Sequence, residues 1–428
     1  MARAKKETAL TPEERLQAAL VPDWEWPYKL PENWCWTYFK SISTIQTGKK
    51  DANYGSDEGK YPFFTCAAEP IRCHGYSFDC RAILLAGNGD INNISRYNGK
   101  FEAYQRTYVV KIAEPLCFDY IFYWFKYRWF DFNKGKMFGT AIPYIRLGNL
   151  QEFPTPIPPL AEQQRIVDRI ESLFAKLDEA KEKAQAVVDS FETRKAAILH
   201  KTFTGELTAK WREEHGVSID NWKTTRFDSV AAIRSNLVDP AEYQSFPHIA
   251  PDNIEKKTGV LLEYHTIAED GVTSGKHRFY SGQILYSKIR PYLSKVVVVD
   301  FDGLCSADMY PIEAYQNARC LWYYMLSDEF LLQASTAGSR SVLPKINQKE
   351  LSALTVHLPT NDREQEEIAR ILDELFDKEQ QTKEAAEVVL DQIDLMKKSI
   401  LARAFRGELG TNDPSEESAV ELLKRTIL

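Results

Sequence analysis

No run of about 18 apolar residues, the length that spans a bilayer, occurs in the 428-residue chain. The opening stretch MARAKKETALTPEERLQ is polar and has no apolar signal core, so a cytosolic protein is expected, cytoplasmic rather than exported or membrane-inserted. Cysteine is scarce and odd in number, seven in all, which fits reduced thiols and not a disulfide framework. Cys66, Cys73 and Cys80 recur every seven residues with His74 alongside. A metal site and a set of buried small hydrophobes both fit. The spacing is wider than the roughly two-to-four-residue knuckle of zinc sites, which favours the second reading, with no metal.

Catalytic signatures are missing as well. Adenine-modifying methyltransferases grip the amino group with an Asn/Asp-Pro-Pro-aromatic tetrapeptide, and none occurs; Pro158 and Pro159 lie in IPPL, without the amide or acid before or the aromatic after. There is no GxxxxGK[ST] phosphate loop to drive an ATP motor, no HExxH helix and no GxSxG elbow. Gly87, Asn88 and Gly89 read as a turn between strands. The chain is expected to catalyse nothing by itself and to carry no cofactor.

What is present is a duplication. Glu162 to Leu207 matches Glu364 to Leu409 without a gap at an offset of 202, and 18 of the 46 positions are identical. Asn33, Trp34, Thr37, Phe39, Ser41 and Ile45 recur 188 residues later as Asn221, Trp222, Thr225, Phe227, Ser229 and Ile233. The chain thus reads as variable unit, helical unit, variable unit, helical unit. The expected divisions are a segment 1–27 packing near the C-terminal repeat, a first variable domain 28–158, a helical repeat 159–215, a second variable domain 216–358, and a helical repeat with tail 359–428. The net charge of −7 is uneven: residues 28–158 hold 16 basic against 12 acidic residues, and 359–428 hold 10 against 17. Residues 222–358 hold 14 against 15, so acid is segregated from the variable units.

Proline-rich starts at Pro156–Pro159 and Pro359, and glycine stops at Gly205 and Gly407, frame two helices of about 40 residues, rods of about 60 Å. Ile166, Ile170, Leu173, Leu177, Ala180, Ala184, Val187, Phe191, Arg194 and Ile198 alternate by fours and threes as a coiled-coil seam. On the second helix the same seam takes Ile368, Leu372, Leu375, Glu379, Thr382, Ala386, Val389, Ile393, Met396 and Ile400. Pseudo-two-fold association predicts antiparallel rods with a variable domain at either end, a dumbbell. Ile166 then lies opposite Ile400 and Arg194 near Leu372, so the polar seam residues are not expected to pair, although a buried Glu needs a partner. Strands are expected around Arg81, Arg106, Gln283 and Ser294, and aromatic helices from Phe118 and Cys320. The fold class is α+β, with two pseudo-symmetric α/β domains separated by two long antiparallel coiled-coil helices.

PPLAEQQRIVDRIESLF from Pro158, its copy REQEEIARILDELF from Arg363, KTFTGEL from Lys201, RAFRGEL from Arg403 and the tail DPSEESAVELLKR from Asp413 resemble the specificity subunits of type I restriction-modification systems. The opening from Thr11 to Trp34 is similar too; Thr360 and Asn361 depart from the PPL pattern. The resemblance covers the whole chain. It implies two target recognition domains that each read half of an asymmetric bipartite DNA site, with the helices as spacer. It also implies two modification subunits, carrying S-adenosylmethionine, that methylate adenine, and restriction subunits that use ATP and Mg for cleavage.

Phosphate contacts would come from Lys and Arg, and base readout from Arg, Lys, Asn and Gln. On that basis the DNA-binding candidates in the first domain are Lys49, Lys50, Asn53, Tyr54, Asn88, Asn92, Asn93, Arg96, Tyr97, Lys134 and Lys136. In the second they are Arg234, Asn236, Lys276, His277, Arg278, Lys288, Arg290, Tyr292, Ser339 and Arg340. Each is weighed against a plain surface polar residue. Helix pairing and subunit docking are assigned to Ile166, Ile170, Leu173, Leu177, Val187, Phe191, Ile198, Ile368, Leu372, Leu375, Val389, Ile393 and Ile400. Two other readings stay open: a free-standing nuclease or methyltransferase, which lacks a visible catalytic constellation, and a coiled-coil adaptor whose variable domains bind protein.

Overall fold

The computed structural model describes residues 11–337 and 344–427. The chain divides into two compact units, Met1–Lys183 with Val389–Leu428, and Ala184–Val388. The first is therefore closed by sequence from both ends. It opens with α1 (Pro12–Ala19), held by a capping box between Thr11 and Glu14. Next come β1 (Cys35–Tyr38), β2 (Ser43–Thr47), β3 (Tyr61–Phe64), β4 (Ile71–Cys73), β5 (Phe78–Ala86), β6 (Ile94–Ala103), β7 (Thr107–Ile112), α2 (Phe118–Asn133), α3 (Leu147–Gln151), β8 (Pro154–Ile157) and α4 (Leu160–Asp189). The second unit adds α5 (Phe191–Phe203), α6 (Ala209–His215), β9 (Trp222–Arg226), β10 (Ala231–Ile233), β11 (Leu237–Val238), β12 (Pro247–Ile249), β13 (His265–Thr266), α7 (Ile267–Asp270), β14 (Lys276–Phe279), β15 (Ile284–Ser287), β16 (Val296–Val298), β17 (Gly303–Cys305), β18 (Met309–Ala314), α8 (Ala318–Met325), α9 (Asp328–Ala337), α10 (Gln348–Ala353) and β19 (Thr355–Pro359). The long helix α11 (Asp362–Phe405) follows, and α12 (Ala419–Ile427) belongs to the first unit.

Each unit is mixed α and β. The first has a six-stranded sheet in the order β2-β7-β5-β6-β3-β4, and the second a four-stranded sheet β10-β18-β15-β16. The first four strands of one and all four of the other share one antiparallel order. Beyond that core they diverge: β3 joins β6 in parallel, whereas the second unit builds a separate five-stranded sheet β11-β14-β17-β12-β13. Apolar residues on one face of α2, among them Tyr120, Trp124, Phe125 and Trp129, are buried with Phe39, Phe153 and Phe405 in the first core. The aromatic run from Cys320 is not one helix. It breaks between α8 and α9 at Ser327, whose hydroxyl accepts from the Phe330 N–H at 3.4 Å and so starts a new helix.

Conserved contacts in the two repeats explain the duplicated residues. Trp34 donates its indole N–H to Glu162 at 2.8 Å, and Trp222 to Glu364 at 3.0 Å. Gln163 accepts from the Cys117 N–H and donates to the Pro158 carbonyl; Gln365 does the same with Asn317 and Pro359. β1 pairs with β8 as β9 pairs with β19. Both glutamates are fully buried, and the chain following each GEL triplet supplies their remaining donors. Thr411 and Asn412 serve Glu162; Thr208 and Arg212 serve Glu364. Burial pushes the Glu162 carboxyl above its ordinary pKa, against the pull of the hydrogen bonds from Asn412, Trp34 and Thr411.

The helical seam differs from expectation in three ways. The first rod is not continuous, because Ser190 separates α4 from α5. Its hydroxyl back-bonds to the Ala186 carbonyl at 2.6 Å, a bond that bends helices. Second, Thr382, Val389 and Met396 are exposed, Val389 at 39% and Met396 at 49%. Lys383, Leu390 and Lys397 take the inward positions. The reason is aromatic: Lys383 lies over the Phe191 ring at 4.9 Å and Lys397 over Phe174 at 5.2 Å, so their stems cover apolar surface, while the Lys397 ammonium pairs with Asp178 on the facing helix. Third, Arg194 pairs with Glu379 at 2.7 Å, one heptad beyond the Leu372 level. The helices are antiparallel within each unit, as Lys181–Asp394 and Phe174–Lys397 show in the first and Lys195–Phe376 and Phe191–Lys383 in the second. Ile166, Ile170, Phe191, Ile368, Leu372 and Ile393 are buried, and Leu173, Leu177, Val187, Ile198, Leu375 and Ile400 half-buried.

Candidate nucleic-acid interface

In the first unit four connections meet at one end of the sheet. The 48–54 loop is tied to the β6–β7 turn by the Gln105 N–H to the Lys50 carbonyl at 2.9 Å. The β5–β6 turn joins the same place through the Gly87 N–H to the Arg106 carbonyl at 2.8 Å, and the 138–146 hairpin through the Gly89 N–H to the Pro143 carbonyl at 2.8 Å. This rim gathers Lys49, Lys50, Asn53, Tyr54, Asn88 and Asn93, whereas Asn92 lines a cavity with Lys126 and Lys398 beside α2 and α11. Lys50 sits 4.4 Å over the Tyr54 ring, and the Asn93 amide donates to the Cys66 carbonyl at 3.2 Å. Asn88 Oδ1 is buried without a hydrogen-bond partner. Arg106 and Gln105, absent from the sequence-based candidates, are exposed on the same rim. The signal that could have found them is the short YQR turn between two strands.

Arg96 and Tyr97 lie elsewhere, along β6. Arg96 is paired to Asp119 and lies 4.8 Å over the Phe122 ring, while Tyr97 packs on Phe64 and Phe101. Both are occupied by the fold. Lys134 and Lys136 follow α2; Lys136 stacks on Phe132 at 3.6 Å, and Asn149 donates to its carbonyl at 3.3 Å. Cys73 is buried in the sheet, its thiol donating to the Gly75 carbonyl at 3.1 Å. Among the described residues no group of three or more His, Cys, Asp or Glu is placed to hold a metal.

In the second unit Lys288, Arg290 and Tyr292 share the loop after β15. Burial lowers the Lys288 ammonium; Asp308, 3.9 Å away, opposes this and Lys345 adds to it. Arg234 is engaged by Glu313 at 2.7 Å. Lys276 and His277, expected on the surface, are buried in β14. Lys276 caps the Ser274 carbonyl at 2.9 Å. Burial, helped by Lys288, lowers the His277 pKa, so the ring is neutral near pH 7. Arg278 lies among Tyr243, Phe246 and Tyr280, and Asn236 accepts its backbone N–H. Ser339 and Arg340 lie outside the described residues. The cations left exposed without an ion pair among the described residues include Lys49, Arg106 and Arg290. Among the described residues no helix is long and apolar enough to cross a membrane.

Comparison with known proteins gives the family. Residues 31–188 and 219–389 each match the type I restriction modification DNA specificity domain. The chain is 40% identical over 403 residues to the type I restriction enzyme EcoDI specificity subunit of Escherichia coli, covering 89% of this chain and 90% of that one. It is 25% identical over 300 residues to the EcoKI specificity subunit of E. coli K12, covering 63% of this chain and 61% of that one. In fold it is similar to the crystal structure of the HsdS subunit from Thermoanaerobacter tengcongensis, with a TM-score of 0.59 at 18% identity, covering 90% of this chain and all of that one. A chain from a structural study of type I R-M complex assembly and conformational transition gives a TM-score of 0.64 at 19% identity, again over 90% and 100%. The duplicated frame, the paired variable domains and these matches together place the chain among the specificity subunits of type I restriction-modification systems, the family to which it belongs.

Proposed function

We propose that each unit reads one half of an asymmetric, bipartite DNA site and that the paired helices set the distance between the halves. The observation that carries this reading is a contrast. The two units share a frame, Trp–Glu, Gln and the four-stranded core, yet their rims carry different residues, so two unlike half-sites are expected. The chain does no chemistry itself in this reading. Two modification subunits dock on the helical regions, bind S-adenosylmethionine, flip the target adenines and methylate them. Restriction subunits join for cleavage with ATP and Mg.

Expression with its modification subunits in a host devoid of adenine methylation, followed by genome-wide mapping of methyladenine, is expected to give one interrupted, asymmetric motif. Methylation at scattered sequences, or none, would overturn the reading.

A further inference from the structure

The loop after β15 repeats the loop after β5 bond for bond. In the first unit the Gly89 N–H donates to the Pro143 carbonyl at 2.8 Å, and the Ile145 N–H to the Gly87 carbonyl at 2.9 Å. In the second the Arg290 N–H donates to the Pro344 carbonyl at 2.8 Å, and the Ile346 N–H to the Lys288 carbonyl at 2.9 Å. Every residue of one set lies 201 positions from its counterpart. Gly89 and Arg290 therefore hold the same place, and both are left-handed, with φ of 73° and 48°.

Glycine adopts that conformation freely, whereas an arginine there costs stability through its Cβ. The loop geometry does not require a side chain, since Gly89 satisfies it and a Cβ added there meets only open space. Nor does Arg290 repay its strain inside the protein. Its side chain is exposed, and among the described residues no hydrogen bond, ion pair or ring contact engages it. The backbone beneath it is firmly held: Pro291 is buried, the turn Pro291–Leu293 packs on α9, and the Leu293 N–H donates to the Arg290 carbonyl at 2.9 Å. A guanidinium projecting from a fixed, strained Cα is aimed, unlike a lysine on a relaxed loop. Strain kept without an internal gain points to an external ligand.

We infer that Arg290 is a specificity-determining residue whose guanidinium reads the O6 and N7 edge of one guanine in the half-site of the second unit. Phosphate contact alone needs no such aiming, whereas a bidentate base contact does. The inference rests on the bipartite reading above.

Its test compares Arg290→Gly and Arg290→Lys with the wild type, each assembled with modification subunits, by mapping methyladenine across a genome. Both variants are expected to relax one G·C position, confined to one half of the motif, by roughly five- to hundredfold in discrimination. The other half stays unchanged. Arg290→Gly is also expected to unfold no earlier than wild type on heating, because the strain is gone; a lower midpoint would mean that arginine supports the loop and would count against the inference. An unchanged motif in both variants would overturn it. So would a wild-type motif in Arg290→Lys with uniformly weaker binding in Arg290→Gly, the signature of a phosphate contact. Absence of any bipartite motif in the wild type would instead remove the reading beneath it, and the inference with it.

Discussion

At the scale of single residues, two glutamates with one duplicated role sit in unlike surroundings. Glu364 accepts from Trp222, Thr208, Asn221 and Arg212, and the Arg212 side chain is only 10% exposed. Glu364→Gln leaves a buried guanidinium without its counter-charge, so a loss of about 3–5 kcal/mol is expected, read as an earlier urea midpoint of the second unit. Glu162→Gln strands no such charge. Arg165 keeps Glu416 at 2.8 Å, and a loss nearer to about 1 kcal/mol is expected in the same measurement on the first unit. Equal losses would show that Arg212 finds water or another acceptor. The sequence marks both glutamates by their identity across the repeat but gives no sign of Arg212, whose counterpart 202 positions on is Pro414.

At the scale of elements, the ion pair Arg194–Glu379 occupies the positions that Met396 and Leu177 hold in the other copy. Arg194→Met or Glu379→Leu alone leaves one charge half-buried in the seam, with an expected cost of about 1–2 kcal/mol. The double substitution leaves no charge in the seam and is expected to recover most of it, a coupling of roughly 1 kcal/mol in a double-mutant cycle by urea unfolding. Additive losses would mean that the pair is no more than a surface contact. The heptad of the first helix is legible because its seam is apolar. On α11 two alternations fit the same steps, and the one with Val389 and Met396 looks more apolar than the one with Lys383 and Lys397. Only the Phe191 and Phe174 rings decide between them, and those lie on the other helix.

At the scale of the whole molecule, the first unit depends on the end of the chain. Leu422 and Leu423 of α12 are buried in its core, and the Asn33 amide donates to the Asp413 carbonyl at 2.9 Å. Deleting 413–428 is expected to remove about 3–6 kcal/mol from two leucines alone. Hydrogen exchange should then rise across β1 and α1 while the core of the second unit stays protected; loss of protection in both units alike would contradict this. Binding of the intact chain to duplex DNA is expected to weaken steeply as salt rises, because exposed lysines and arginines would displace counterions from phosphate. Binding indifferent to salt would favour the protein-adaptor reading.

By itself the sequence determined the duplication, the α+β class and most strands and helices, because these rest on periodicity and on residues repeated at fixed offsets; the family was legible only through the resemblance of its helix-opening and GEL motifs to known members. Tertiary structure decided which polar residues are free to act. Arg96 and Arg234 look as available as Arg290 in a string of letters, yet Asp119 and Glu313, 23 and 79 residues away, engage the first two. Lys276 and His277 vanish into a sheet that exists only once β11, β14 and β17 have met. Charge and composition are local properties, whereas burial and pairing are set by partners distant in sequence. Arg290 shares a left-handed backbone with Lys257 and Ser294, and what sets it apart is the bond of its N–H to the Pro344 carbonyl, more than 50 residues downstream, which gives it the place of Gly89.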